Sequence, residues 1–183
     1  TFEARGYTAW DCTSPAFVKD GTLYIPTLFC SYTGEALDKK TPLLKSVDAL
    51  SKASCRLLPL LGMEGVTQVS ASVGSEQEYF LVADEFYQQR MDLKLTGRTL
   101  YGTMAPKGQE LEDHYFGSLK RKVSAFMKDL DKELWKYGIP SKTKHNEVAP
   151  AQHEVACVYR RVNITSDNNH LLMQLMQDIA KKH

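Results

Sequence analysis

Two segments that read as interior structure each carry a pair of carboxylates, and that constrains the fold more than any other feature. They are Gly74-Ser75-Glu76-Gln77-Glu78-Tyr79-Phe80-Leu81 and Glu147-Val148-Ala149-Pro150-Ala151-Gln152-His153-Glu154. Moving a carboxylate into a medium of low dielectric costs several kcal/mol even after relaxation, and neighbouring carboxylates push each other's pKa upward. A fold that brings the two pairs together must therefore protonate them or supply a cation. A divalent ion keeps every ligand ionised, because it is the largest local charge. Oxygen donors select hard ions, so Mg²⁺ or Mn²⁺ is expected. Zinc would need Cys or His at close spacing, and no such spacing is expected here.

The period of the surrounding residues places these pairs. Side chains alternate along a strand, so within a strand over residues 69–82 Glu76 and Glu78 share one face and Gln77 points away. Residues 142–159 return to strand character with Pro150 interrupting, which puts Glu147 and Glu154 on consecutive strands or on one bulged strand. Short apolar runs between Pro, Asp and Gly predict strands in residues 1–40. Thr41, as N-cap before Pro42, predicts a helix carrying Leu43, Leu44, Val47, Leu50, Leu57 and Leu58, closed by Gly62. Val123, Phe126, Met127, Leu130 and Leu134 form an apolar stripe on a second helix, ended by Gly138 and Pro140, that should pack on a sheet. Ser166 or Asp167 is expected to cap a last helix bearing Leu171, Leu172, Leu175 and Ile179. Residues 84–114 show little periodicity and read as a long loop.

Composition narrows the class. With 43% hydrophobic and 25% charged residues, the 183-residue chain falls outside the disordered range. A net charge of +1 gives no electrostatic footprint for nucleic acid or an anionic membrane. No apolar run is long enough for a membrane span, and the first residues lack the pattern of a signal peptide. Cys12, Cys30, Cys55 and Cys157 are scattered and read as reduced thiols of a cytoplasmic protein. The opening without Met and the close on a helix without a cap suggest a piece of a longer chain.

Taken together, the residues resemble a known family. Gly74 to Leu81, Tyr115-Phe116, and His145-Asn146-Glu147-Val148-Ala149-Pro150-Ala151-Gln152-His153-Glu154 are similar to motifs of glutamine synthetase. Lys107-Gly108-Gln109-Glu110, Asp113-His114-Tyr115-Phe116-Gly117 and the opening Phe2 to Asp11 resemble the type III subfamily. The resemblance spans the whole chain. It implies an α+β fold in which residues 1–40 end a β-grasp N-terminal domain and residues 41–183 begin a catalytic domain built on an antiparallel sheet or barrel with helices. It also implies ATP-dependent ligation of ammonia to the γ-carboxylate of glutamate through a γ-glutamyl phosphate, with glutamate, ammonia and ATP as substrates. Two divalent ions would serve each site, and homo-oligomeric stacked rings would share sites between subunits.

Carried over by position, the resemblance makes Glu78, Glu147 and Glu154 ligands of the ion beside the amino-acid substrate, and Glu76 a ligand of the ion that bridges the ATP phosphates. Tyr115, Glu147 and Glu3 would line the ammonia pocket, Glu3 differing in type from the Asp the family uses there. Tyr159 would sit beside the nucleotide. Other ligands of the second ion have no counterpart in this chain, so the 183 residues alone are expected to be inactive. Two rivals are a relative that ligates glutamate to another amine, and a catalytically silent ring-forming homologue.

Plainer readings stand beside these. A lone Glu-x-Glu on a strand is more often an exposed polar pair, and a Pro-interrupted acidic strand is more often an edge. His145 and His153 read as satisfied neighbours and are left out of the expected metal shell, His153 because it should face away from Glu154. The apolar stripes read as core, Lys120-Arg121-Lys122 as a solvated helix turn, and Tyr115 as equally consistent with a structural role.

Overall fold

The computed structural model describes residues 6–103 and 114–183. Along the chain the elements are β1 (Gly6–Trp10), β2 (Phe17–Lys19), β3 (Thr22–Tyr24), β4 (Thr27–Ser31), α1 (Lys40–Leu57), a 3-10 turn (Leu58–Leu61), β5 (Ser72–Val73) and β6 (Glu76–Phe80). There follow α2 (Asp84–Gln89), α3 (Met91–Thr96), α4 (Arg121–Lys136), β7 (Ser141–Asn146), β8 (Gln152–Cys157), β9 (Arg160–Arg161) and α5 (Val162–Ala180). All strand pairings among the described residues are antiparallel. The mixed α+β class expected from the sequence is the one observed. No helix among the described residues is long and apolar enough to cross a membrane. All four cysteines are free.

The chain divides into two compact units, Thr1–Gly74 with Tyr159–Asn168, and Ser75–Val158 with Asn169–His183. The first pairs β1 with β4, β2 with β3 and β5 with β9. The β1–β4 pair needs glycine at its first rung, where a Cβ on Gly6 would stand 2.2 Å from the Cys30 carbonyl oxygen. This unit is tied by polar contacts. Lys40 Nζ lies 2.8 Å from Asp11 Oδ2 and 2.6 Å from Asp167 Oδ2. The Asp11 carboxylate also accepts from the Thr13 amide at 3.0 Å and the Ser14 hydroxyl at 2.9 Å. Asn163 Nδ2 donates to Thr13 Oγ1 at 2.9 Å, and Thr165 Oγ1 to the Val73 carbonyl at 2.9 Å.

The second unit holds the apolar core. Phe126, Met127, Leu130 and Leu134 of α4 pack with Leu172, Leu175, Met176 and Ile179 of α5, with Ile139 and with Val155 of β8. The two stripes read from the sequence are thus core faces. The sheet, in strand order β6-β8-β7, meets α4 through an edge contact of Tyr79 with Phe126 and through Lys144 Nζ, 2.6 Å from Asp131 Oδ2.

Several boundaries differ from the sequence reading for identifiable reasons. α1 starts before Thr41, because Asp38 takes the capping role: its Oδ1 accepts the Thr41 amide at 2.8 Å and its Oδ2 the Phe29 amide at 2.7 Å. Residues 84–96 are no loop. They form α2 and α3, each six residues and too short to show a period, with Asp84 and Glu85 favouring the first turn of α2. The predicted strand over 69–82 breaks at Gly74 and Ser75 into β5 and β6. α5 begins at Val162 rather than after Ser166 or Asp167, since Asn163, Thr165 and Asp167 find distant partners instead of acting as local caps.

Candidate metal centre

Register across the three-stranded sheet builds the centre. Glu78 of β6 stands opposite Glu154 of β8, and Glu154 stands opposite His145 of β7. Residues directly opposite share a face, so Glu76, Glu78, Glu154 and His145 project from one side. The neighbouring row, Tyr79, His153 and Asn146, projects from the other. Glu147 follows β7 at the hairpin tip, where its amide donates to the Gln152 carbonyl at 2.9 Å and the Gln152 amide to the Ala149 carbonyl at 3.2 Å. Ala151 closes this tip with a φ of 58°, a left-handed conformation rare for a residue with a Cβ. Of the acidic residues of the second motif, Glu154 therefore sits on β8 and Glu147 at the hairpin tip just past β7, rather than both on strands.

His145 lies between the two carboxylates. Its Nδ1 is 3.4 Å from Glu147 Oε1 and its Nε2 is 3.3 Å from Glu154 Oε1. One donor atom from each of His145, Glu147 and Glu154 falls within 4.8 Å of the others. Glu154 is only 7% exposed. Burial pushes its pKa up, and so do a hydrogen bond shared with Glu147 and the charges of Glu147 and Glu76; only His145 acts the other way. A buried carboxylate pushed upward by its acidic neighbours, with an imidazole beside it, belongs to a donor set that fits a divalent cation.

The other expected residues take distinct places. Glu76 and Glu78 share the face but are exposed, and the Glu78 carboxylate accepts from Gln152 Nε2 at 2.9 Å. Neither belongs to the close group of three. The Tyr115 hydroxyl lies 3.5 Å from His145 Nε2, with the two rings 4.7 Å apart. Tyr159, between β8 and β9, is 70% exposed and belongs to the first unit. Glu3 lies outside the described residues. His153 faces away from Glu154, as its place in the alternation requires. Its Nδ1 is 3.0 Å from Asn146 Oδ1, and burial, then the charge of Lys120, push its pKa down. His145 is the residue that the sequence reading set aside. Its signal was the His-x-Glu spacing, which places His145 and Glu147 on the same side by the alternation that pairs Glu76 with Glu78.

An α+β scaffold whose antiparallel sheet presents carboxylates suited to a divalent cation defines the class. The comparisons with known proteins narrow it. The family description "Glutamine synthetase type III N terminal" matches residues 1–46, and "Glutamine synthetase, catalytic domain" matches residues 56–183. The chain belongs to the glutamine synthetase family. It is 58% identical over 179 residues to a glutamine synthetase of Butyrivibrio fibrisolvens and 57% identical over 183 residues to one of Bacteroides fragilis. It is 49% identical to a type-3 glutamine synthetase of Dictyostelium discoideum. These alignments take in 98–100% of the chain, which spans 25% of the length of each relative. In fold it is similar to a glutamine synthetase of Plasmodium falciparum (TM-score 0.53, 17% identity, 97% of this chain and 36% of that one). It is also similar to GmaS in a complex with ADP (TM-score 0.58, 15% identity, 100% of this chain and 37% of that one).

Proposed function

We propose that the protein containing this chain is a glutamate–ammonia ligase, joining ammonia to the γ-carboxylate of glutamate at the expense of ATP. The observation that carries this is the convergence of Glu147 and Glu154 on the face that also bears Glu76 and Glu78, within the stretch matching the catalytic domain of the family. Residues 1–40 then end a β-grasp N-terminal domain and residues 41–183 begin the catalytic domain.

Glu147, Glu154 and Glu78 would hold one divalent ion, Mg²⁺ or Mn²⁺, and Glu76 would contribute to a second. Ions held by these residues would supply the positive charge that polarises phosphoryl oxygens and favours in-line transfer. The chain's own residues do the rest. The Glu147 carboxylate takes up the proton that ammonium must lose before it attacks, with Tyr115 and Glu3 of a neighbouring subunit as the other members of that pocket. Tyr159 offers an exposed ring for adenine to stack on, and the ADP held by the structurally similar GmaS supports a nucleotide site. Assembly into a homo-oligomer with shared sites, and a cytoplasmic location in keeping with four free thiols, complete the reading.

The test is Glu147→Ala in the full-length protein, assayed for glutamine formed from ATP, glutamate and ammonia. Loss of about 10²–10³-fold in turnover is expected, in line with removing a group that acts on the developing charge. Unaltered glutamine formation would sink the assignment. Activity with small polyamines exceeding that with ammonia would move the substrate assignment to another amine and leave the metal reading intact.

A further inference from the structure

The contacts around His145 distinguish its two ring nitrogens. The Asn146 carbonyl at 2.9 Å and Glu147 Oε1 at 3.4 Å face Nδ1, where an N–H can donate. Nε2 faces Glu154 Oε1 at 3.3 Å and the Tyr115 hydroxyl at 3.5 Å. One donor atom from each of His145, Glu147 and Glu154 lies within 4.8 Å of the others, room for a single ion among them. The pattern of one ring nitrogen donating to a backbone carbonyl while the other faces an acidic cluster is how proteins orient an imidazole for a metal. Donors bound at about 2.1 Å to one ion, with tetrahedral or octahedral angles, stand about 3.0–3.5 Å apart. The spacing between Nε2 and Glu154 Oε1 falls in that interval.

We propose that His145 is a nitrogen ligand of the cation held by Glu147 and Glu154, so that the centre mixes nitrogen with oxygen and favours Mn²⁺ or another first-row divalent ion over Mg²⁺. This rests on the metal reading given above. It adds a ligand to that reading and a consequence for selectivity. Mg²⁺ takes oxygen donors and keeps much of its water, whereas the first-row ions accept imidazole readily. The Tyr115 ring, 4.7 Å from the imidazole, would help hold the ligand in its orientation.

The experiment uses the full-length protein with Mn²⁺ as probe, at one equivalent per chain. Pulsed electron paramagnetic resonance reports nitrogen bound directly to Mn²⁺, and calorimetric titration gives the affinities for Mn²⁺ and Mg²⁺. A histidine elsewhere in the full-length protein can bind a second ion, so the difference between wild type and His145→Gln is what counts. The nitrogen coupling should fall in His145→Gln, with Mn²⁺ affinity down about 10–100-fold, the range seen when even an outer partner of a ligand is lost, and Mg²⁺ affinity down far less. His145→Asp, with an all-oxygen donor set, should reverse the preference toward Mg²⁺, and it serves in place of His145→Gln if that variant does not fold. Wild-type Mn²⁺ without nitrogen coupling, or coupling undiminished in a folded His145 variant, overturns the proposal. Glu154→Gln separates the two levels of argument: Mn²⁺ binding indifferent to Glu154→Gln overturns the metal reading itself, whereas binding that needs Glu154 but shows no nitrogen overturns only the role of His145.

Discussion

Asp11 and Glu154 are buried to nearly the same degree, 4% and 7% exposed, yet their surroundings treat charge in opposite ways. Around Asp11 burial opposes ionisation, but Lys40 and the hydroxyls of Thr13 and Ser14 outweigh it and bring the pKa down to about 2. Around Glu154 burial and two further carboxylates act together and push the pKa up. The first cluster balances its charge with side chains of the same unit, and it ties the turn after β1 to α1 and to the start of α5. The second leaves its balance to something the chain does not provide. A neutralised ionic cluster is therefore read as structure, and an unneutralised one as a place for a ligand.

The contrast can be broken most directly at Lys40. Lys40→Met leaves Asp11 buried without its cation and should cost about 3–5 kcal/mol, read as a lower urea midpoint. A loss below about 1 kcal/mol would mean that Lys40 does not balance the cluster. Next in size, Mn²⁺ at a hundredfold excess over its dissociation constant should add about 2.7 kcal/mol near pH 7.5, seen as a rise in Tm. That gain should fade on acidification, because a proton held by Glu154 must leave before an ion binds.

Without an ion, the two clusters should respond to pH in opposite directions. The pKa of Glu154 is raised by folding, so its contribution is fully present below the ordinary carboxylate value and is lost as pH rises through the raised one. That of Asp11 is depressed, so its contribution is present above the ordinary value and is lost as pH falls toward about 2. Glu154→Gln should then leave the metal-free protein unchanged or stabilised by less than about 1 kcal/mol, while abolishing the rise in Tm given by Mn²⁺. The smallest expected effect is at the hairpin tip. Ala151→Gly relieves a left-handed backbone at some entropic cost and should stabilise by about 0.5 kcal/mol in the same denaturation assay.

Where the sequence was legible, its signals were long or repeated. The stripe through Phe126, Met127, Leu130 and Leu134 runs over several turns, and its burial follows from that period alone. The carboxylates were legible because two acidic pairs in apolar strands have few inexpensive explanations. α2 and α3 leave no periodic signal because six residues do not complete two turns. The start of α5 departs from the capping expectation because the preferences of Ser166 and Asp167 are local rules, whereas Asp167 is engaged by Lys40 from far along the chain. The general habit of histidines gives no reason to count His145 among the ligands. Its partner Glu154 is nine residues away, and only the hairpin register brings the two together.

That register has a genetic reading. The tip between Asn146 and Gln152 holds its place through the bond from the Glu147 amide to the Gln152 carbonyl, with Ala151 in its left-handed turn. Because side chains alternate with a period of two, inserting or deleting one residue in this tip would turn Glu154 toward the core around Phe126 and Val155 out to the acidic face in a single step. Point substitutions in the tip change the protein by degrees. A change of one residue in its length would exchange inside for outside, so the length of this turn should be inherited far more strictly than its letters.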